Sequence, residues 1–300
     1  MLNRRHIRLK IVQYLYALQA SNFEDTKQQN NNLFKSLESV FNLFIFQISF
    51  LLEIQKIAKE KFEKSKKSLF GNVSLKYSSD RLSKNNFLQK ISNQKKFKEI
   101  LNKKEFINWD VDYKFANSVY NDLIDSKIYS DYITEKNISI ENDKNFVKNI
   151  YKNIILKNTS FYSLIQQKNI FWTDDFALVN TLILKLINSF SEKKFNKILD
   201  AKYYSSNDDE KFANKLSELS LQKFESNNLL IKELTPNWDL DRINKLDLVI
   251  INLGISEILN FKDIPKKVSI NEYIEISKDY SSEKSSIFIN GILDKILKKN

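Results

Sequence analysis

Only three glycines and two prolines interrupt 300 residues. Sandwiches, barrels and phosphate-cradling loops depend on turns that these residues supply, glycine by adopting positive φ and proline by fixing φ. Long segments lacking both favour helices, so the expected fold is all-α. A content of 42% hydrophobic and 28% charged residues suffices for a packed core and excludes a disordered tail.

Helical periodicity supports this reading at both ends. In residues 3–20, Ile7, Ile11, Leu15 and Leu18 form one apolar face. At about 100° per residue, Arg5 and Tyr16 fall close together on another face, flanked by Arg8. Residues 31–67 read as a long helix closed by a break at Gly71. Its most apolar part, 40–52, is too short to span a bilayer and carries Asn42, Gln47 and Ser49, so it reads as buried core. With no secretory signal visible, the expected location is cytoplasmic, without membrane contact.

The middle is less clear. Residues 72–108 are rich in Lys, Asn and Ser, 127–143 read as a linker, and 144–168 and 174–190 as helices. An echo at an offset of 66 residues aligns Phe146, Ile150, Leu164, Ile165, Trp172 and Asp175 with Phe212, Leu216, Leu230, Ile231, Trp238 and Asp241. Duplication and two similarly packed helix sets both account for it. Further helices are expected at 210–226, 240–260 and 283–298. Ser269 followed by Glu272 has the pattern of a capping box, which places a helix start near residue 270. Three blocks result: 1–70 with the arginine-rich opening helix, an enlarged helical region at 71–205, and a C-terminal helical domain at 206–300.

Charge points to a polyanion, with a discount. The net charge of +11 rests largely on lysine in a chain generally rich in Lys, Asn and Ile. Arginine is more informative: of Arg4, Arg5, Arg8, Arg81 and Arg242, three lie within the first eight residues. RNA, DNA and an anionic membrane would all satisfy that charge; of these, single-stranded RNA needs cations for phosphate and flat side chains for unstacked bases. Arg4, Arg5, Arg8, Lys10 and Tyr16 offer both. A solvated terminus with Tyr16 as partial core accounts for the same residues. The lysines of 84–104 extend an RNA path or form a solvated helical face. Cysteine is absent and His6 is the single histidine, which removes disulfides, thiolate zinc sites, cysteine nucleophiles and multi-histidine metal sites. The expectation is a non-enzyme without metal or cofactor. Asp174-Asp175 and Asp208-Asp209 read as helix N-terminal residues.

At the C-terminus the sequence becomes specific. Lys267-Val-Ser-Ile-Asn-Glu272, Lys278, Tyr280, Ser285, Phe288-Ile-Asn-Gly291 and Ile292-Leu-Asp-Lys295 closely resemble the end of NusB-family proteins. Leu240-Asp-Arg-Ile243, Leu246-Asp247, Glu257 and Leu259 resemble the family's preceding helix. Arg4-Arg5, Arg8 and Val12-Gln13-Tyr14-Leu15-Tyr16-Ala17 resemble its arginine-rich opening helix. The resemblance covers residues 2–20 and about 208–298, and family members are usually much shorter.

The resemblance implies two packed helical bundles, here with an additional helical insertion. It also implies a transcription antitermination factor that binds boxA-type single-stranded RNA jointly with the ribosomal protein NusE. That complex helps RNA polymerase pass terminators during ribosomal RNA transcription. By the same resemblance Phe288 reaches the RNA surface, with core packing as its other reading. Lys284, one turn before it, replaces a position that is often acidic. Asp247 lies on the helix used toward NusE, or is a surface aspartate without consequence. Asn271, Glu272, Asn290 and Gly291 read as structural, with Gly291 allowing close helix approach. NusB-like domains also occur fused to RNA cytosine methyltransferases, which need a cysteine nucleophile and a cofactor domain. This sequence has no cysteine and no Gly-rich loop. The remaining alternative is a protein-interaction scaffold of NusB fold without specific RNA binding.

Overall fold

The computed structural model describes residues 2–21, 23, 26–67, 77, 79–201, 203–236 and 239–299. Gly71 and Trp238, used above for a helix break and for the echo, lie outside the described residues. Fifteen α-helices and two 3-10 turns account for the described secondary structure, with one isolated bridge between Leu2 and Tyr204. The fold is all-α, as the scarcity of turn residues dictates.

The chain divides into two compact units: Met1–Leu37 with Tyr203–Asn300, and Glu38–Lys202. In the first unit, α1 (Arg4–Ala20) starts at Asn3, whose side chain accepts from the His6 amide at 3.1 Å. Its face of Ile7, Ile11, Leu15 and Leu18 is fully buried. The chain returns to this unit beside the N-terminus: the Leu2 amide donates to the Tyr203 carbonyl at 2.7 Å and Ser205 Oγ to the Leu2 carbonyl at 2.8 Å. Then follow α11 (Asn207–Gln222), α12 (Phe224–Leu234), α13 (Lys245–Asn260), α14 (Lys266–Tyr280) and α15 (Glu283–Lys299). Ser206 caps α11, and Asp208, Asp209 and Glu210 in its first turn favour the helix dipole.

Helix α13 is the axis of this unit. Its residues from Asp247 to Ile258 are all buried, and α1, α11, α12, α14 and α15 pack around it. Gly254 is where the close approach occurs: a Cβ there would lie 3.0 and 3.1 Å from the two Leu293 methyls and 3.3 Å from the Tyr273 ring. Gly291, expected to fill that role, faces open space, with nothing within 4 Å of an added Cβ. The expected capping box is also corrected. Helix α14 starts at Lys266 after Pro265, and Ser269 and Glu272 lie inside it, bonded to residues of other helices.

In the second unit, α2 (Thr26–Lys67), which begins in the first, supplies the apolar spine. Phe46 packs on Trp109 at 5.1 Å and Trp172 at 5.0 Å between ring centres, and Phe50 on Phe161 at 4.4 Å. Gln47 donates to Asn180 Oδ1 at 3.1 Å and accepts from the Tyr151 hydroxyl, so its amide is satisfied inside the core. The helix is long and apolar enough to cross a membrane by composition, yet 83% of its most apolar window is buried within the protein.

The stretch expected as a linker, 127–143, is structured. It holds α6 (Lys127–Thr134) and the start of α7 (Ile140–Asn153), and only the connection between them is irregular. Tyr132 stacks on Phe146 at 3.7 Å and donates to Asp143 Oδ1 at 2.7 Å, while the Arg81 guanidinium lies 4.5 Å over the Tyr132 ring. Composition misleads here because its polar side chains are engaged in capping and in this buried network. The lysine-rich stretch forms α3 (Asn86–Ser92) and α4 (Lys95–Asn102), which bury Phe87, Leu88, Ile91 and Phe97. Helices α5 (Trp109–Ile124), α8 (Thr159–Lys168), α9 (Phe171–Asn188) and α10 (Glu192–Ala201) complete the unit.

The two glycines give opposite expectations. Gly291→Ala should stabilise the protein by roughly 0.5–1 kcal/mol, since alanine removes backbone entropy from the unfolded chain at no steric cost. Gly254→Ala should destabilise it, because Leu293 and Tyr273 are fully buried and cannot yield. Urea melts of both variants against the parent check this.

Candidate nucleic-acid interface

The arginines of α1 lie at its start, where the chain enters the first unit, and acidic residues from three other helices meet them. Arg5 Nε and Nη2 donate to the Glu272 carboxylate on α14 at 2.8 and 2.9 Å, and the Arg5 side chain remains 49% exposed. Arg4 lies 3.5 Å from Asp209 on α11 and 5.1 Å over the Phe212 ring. Arg8 turns inward. Its Nε and Nη2 donate to Glu257 on α13 at 2.7 and 2.6 Å, and both side chains are buried.

Glu257 also accepts from Ser269 Oγ at 2.5 Å and from the Tyr273 hydroxyl at 2.7 Å, so its carboxylate takes four hydrogen bonds. Arg8 is sandwiched between aromatic rings, 5.1 Å from Phe212 and 5.9 Å from Tyr273. Burial alone would lower the Arg8 pKa; the Glu257 hydrogen bonds and nearby negative charge outweigh it, and the guanidinium is held charged. Burial, reinforced by the Glu257 charge, pushes the Tyr273 hydroxyl well up, so it stays a donor. Hydrogen bonding from Arg5 holds the Glu272 carboxyl below its usual range.

An open cleft of about 660 Å³ lies along this array, lined by Asn3, Arg4, Arg5, His6, Arg8 and Glu272 together with the start of α14. His6 presents a buried Nδ1 with no hydrogen-bond partner, and burial followed by the Arg5 charge lowers its pKa.

The structure brings Arg4, Arg5 and Arg8 together, but not in equivalent states. Arg4 and Arg5 reach solvent. Arg8 and Lys10, both expected to contact RNA, are 3% exposed, because that side of α1 packs against the unit's core. Arg8 is therefore an internal tie. Tyr16 is 44% exposed on α1, and Lys284 is exposed on α15 one turn before a half-buried Phe288. None of these three lines the cleft. Asp247, expected at a partner surface, is 5% exposed and accepts from Ser281 Oγ at 2.7 Å, which ties α13 to the turn between α14 and α15.

Sequence reasoning passed over the acidic half of this array. Glu257 interrupts an otherwise apolar run, Gly-Ile-Ser-Glu-Ile-Leu, and a carboxylate in such a run requires a buried partner. That signal could have paired it with an arginine of the opening helix.

The NusB family model matches residues 176–298, from within α9 to the end of α15. The transcription antitermination protein NusB of Thermodesulfovibrio yellowstonii is 38% identical over 112 residues, 37% of this chain and 74% of that protein. The chain belongs to the NusB family. The NusB proteins of Natranaerobius thermophilus and Finegoldia magna are 49% and 53% identical over 80 and 70 residues. Those matches take in 27% and 23% of this chain and 55% and 51% of the relatives, so the chain spans about half the length of these two. No solved structure matches the chain. The NusB match includes Asp247, Glu257, Glu272, Lys284 and Phe288, and lies outside the arginines of α1.

The two ion pairs should respond differently to substitution. Arg8→Ala strands the Glu257 carboxylate and should cost about 3–5 kcal/mol. Arg5→Ala breaks a half-exposed pair and should cost about 1 kcal/mol or less. The His6 pKa is depressed in the folded chain, so its contribution is present above the unfolded value of 6.5 and is lost as pH falls below it. Melting temperature should therefore begin to drop from about pH 6.5 downward. A His6→Phe variant should flatten that part of the curve.

Proposed function

We propose that this NusB-family chain is a transcription antitermination factor that binds boxA-type single-stranded RNA jointly with the ribosomal protein NusE. It would act in an RNA polymerase antitermination complex during ribosomal RNA transcription. The observation that carries the reading is the exposed Arg4–Arg5 pair beside an open cleft, on a helix anchored into the NusB-matching part of the chain. A guanidinium binds phosphate bidentately or stacks on a base, which lysine cannot do. Tyr16, with 44% of its surface exposed on the same helix, offers a face for a base. Lys284 and Phe288 on α15 are the further candidates from the matched segment. Arg8, Lys10 and Asp247 are left out of the interface on account of their burial. The role is one of binding, and no catalytic step is assigned to any residue.

A specific observation also favours a second reading. Arg4, Arg5 and Arg8 are all ion-paired within the chain, as expected of a NusB-fold scaffold that meets protein partners without holding RNA.

Titration with labelled single-stranded boxA-type RNA over a series of salt concentrations separates the two. On the RNA reading, changing Arg4 and Arg5 together to Glu weakens binding strongly and flattens the slope of log affinity against log salt by about 0.7 per lost phosphate contact. Tyr16→Ala and Phe288→Ala each cost about 1–3 kcal/mol with little change in slope. Absent binding selects the scaffold reading, and binding unchanged in the double arginine variant shows that RNA is held away from the start of α1. A pull-down of NusE with and without RNA tests the joint complex.

A further inference from the structure

We propose that Glu272 is an internal stand-in for RNA phosphate: it occupies Arg5 in the free protein and passes to Arg8 when a phosphodiester oxygen takes its place. The proposal rests on the RNA reading given above and adds to it how the site is held before RNA arrives.

The geometry supplies both ends of the exchange. Glu272 holds the Nε–Nη2 edge of Arg5 through two short hydrogen bonds, the planar fork a guanidinium also presents to phosphate. Both side chains line the cleft, and Arg5 is half exposed, so the pair is reachable from solvent. A carboxylate expelled from such a pair would ordinarily be stranded at a cost. Here a second cation is already in place. Glu257 engages Nε and Nη2 of Arg8, and Arg8 Nη1 lies 3.8 Å from Glu272 Oε2. A small side-chain rotation closes that gap, so Glu272 exchanges one arginine for another.

Charge explains why the stand-in yields to RNA and not to a simple anion. One phosphate carries about the same charge as the carboxylate, and Glu272 has the advantage of being tethered. A strand offers several phosphates at once and releases condensed counterions as they are neutralised. Glu272 therefore discriminates against isolated anions while leaving a polyanion able to compete. It also fixes the Arg5 side chain in the free state, where three unpaired arginines at one helix start would repel one another.

The test measures binding of a labelled single-stranded boxA-type RNA by the full chain, in the parent, Arg5→Ala, Glu272→Gln and the double variant. Arg5→Ala should weaken binding. Glu272→Gln should tighten it by roughly two- to fivefold at low salt, the range expected for releasing a partly exposed ion pair. In the Arg5→Ala background the same change should alter affinity by less than about twofold, because its effect passes through Arg5. Glu225→Gln, exposed on α12, is the control for a simple change in net charge and should match the parent. Should Glu272→Gln unfold the chain, Glu272→Asp keeps the charge without the reach and should tighten binding less. Glu272→Gln that weakens binding or leaves it unchanged overturns the proposal, as does equal tightening in both backgrounds. Each of those outcomes leaves the RNA reading intact. An Arg5→Ala variant that binds as the parent does also overturns the proposal, with RNA then held by other residues, whereas a parent chain that binds no RNA defeats the RNA reading itself.

Discussion

The buried pairing of Arg8 with Glu257 joins the two chain segments that make up the first unit, and the candidate interface depends on it. An ionised pair removed from water is costly unless its remaining donors and acceptors are satisfied. Ser269, Tyr273 and the two flanking rings supply what the pair needs, so the arrangement is specific to one docking of α1 on α13 and α14. A shift of α1 by one turn would strand a carboxylate in an apolar helix. The pair therefore sets where Arg4 and Arg5, four and three residues earlier in the helix, meet solvent. The same constraint explains why a chain with residues 38–202 between Leu37 and Tyr203 still assembles this unit from its two ends.

Around this tie the arginines form a gradient of availability. Arg8 is enclosed, Arg5 is held by a half-exposed carboxylate, and Arg4 is only loosely paired. A bare arginine cluster would carry strong self-repulsion at the helix start, where the dipole already disfavours positive charge. Acidic partners from α11, α13 and α14 remove that penalty in the free protein. What reaches an incoming strand is a set of cations whose counter-ions differ in how readily they give way.

Much of the fold was legible because its causes are local. The lack of glycine and proline and the i, i+4 spacing of Ile7, Ile11 and Leu15 require a helix whatever surrounds it. The long apolar segment declared itself core through Gln47, whose amide needed the partners that Tyr151 and Asn180 provide. What was misread depends on contacts distant in sequence. Ser269 and Glu272 have the local pattern of a helix start, but their partners are residues of α13 and α1, which no local rule can see. Gly254 and Gly291 look alike in sequence and differ only in what stands opposite them. The segment at 127–143 was polar enough to resemble a linker because its polar atoms are bonded inside, to Asp143, Tyr132 and Arg81.

The candidate site was half legible for the same reason. Its cations are clustered within eight residues of one another, while Asp209, Glu257 and Glu272 come from more than 200 residues away. That the chain holds only five arginines gives a direct test of the account. In a selectively labelled sample, the Nε–Hε resonances of all five can be followed as single-stranded boxA-type RNA is added. The account predicts that Arg4 and Arg5 shift strongly, while Arg8 keeps the protection from solvent exchange that its buried pairing with Glu257 gives, and Arg81 stays unmoved. Loss of that protection at Arg8, or shifts at Arg81 with Arg4 and Arg5 unmoved, would contradict it.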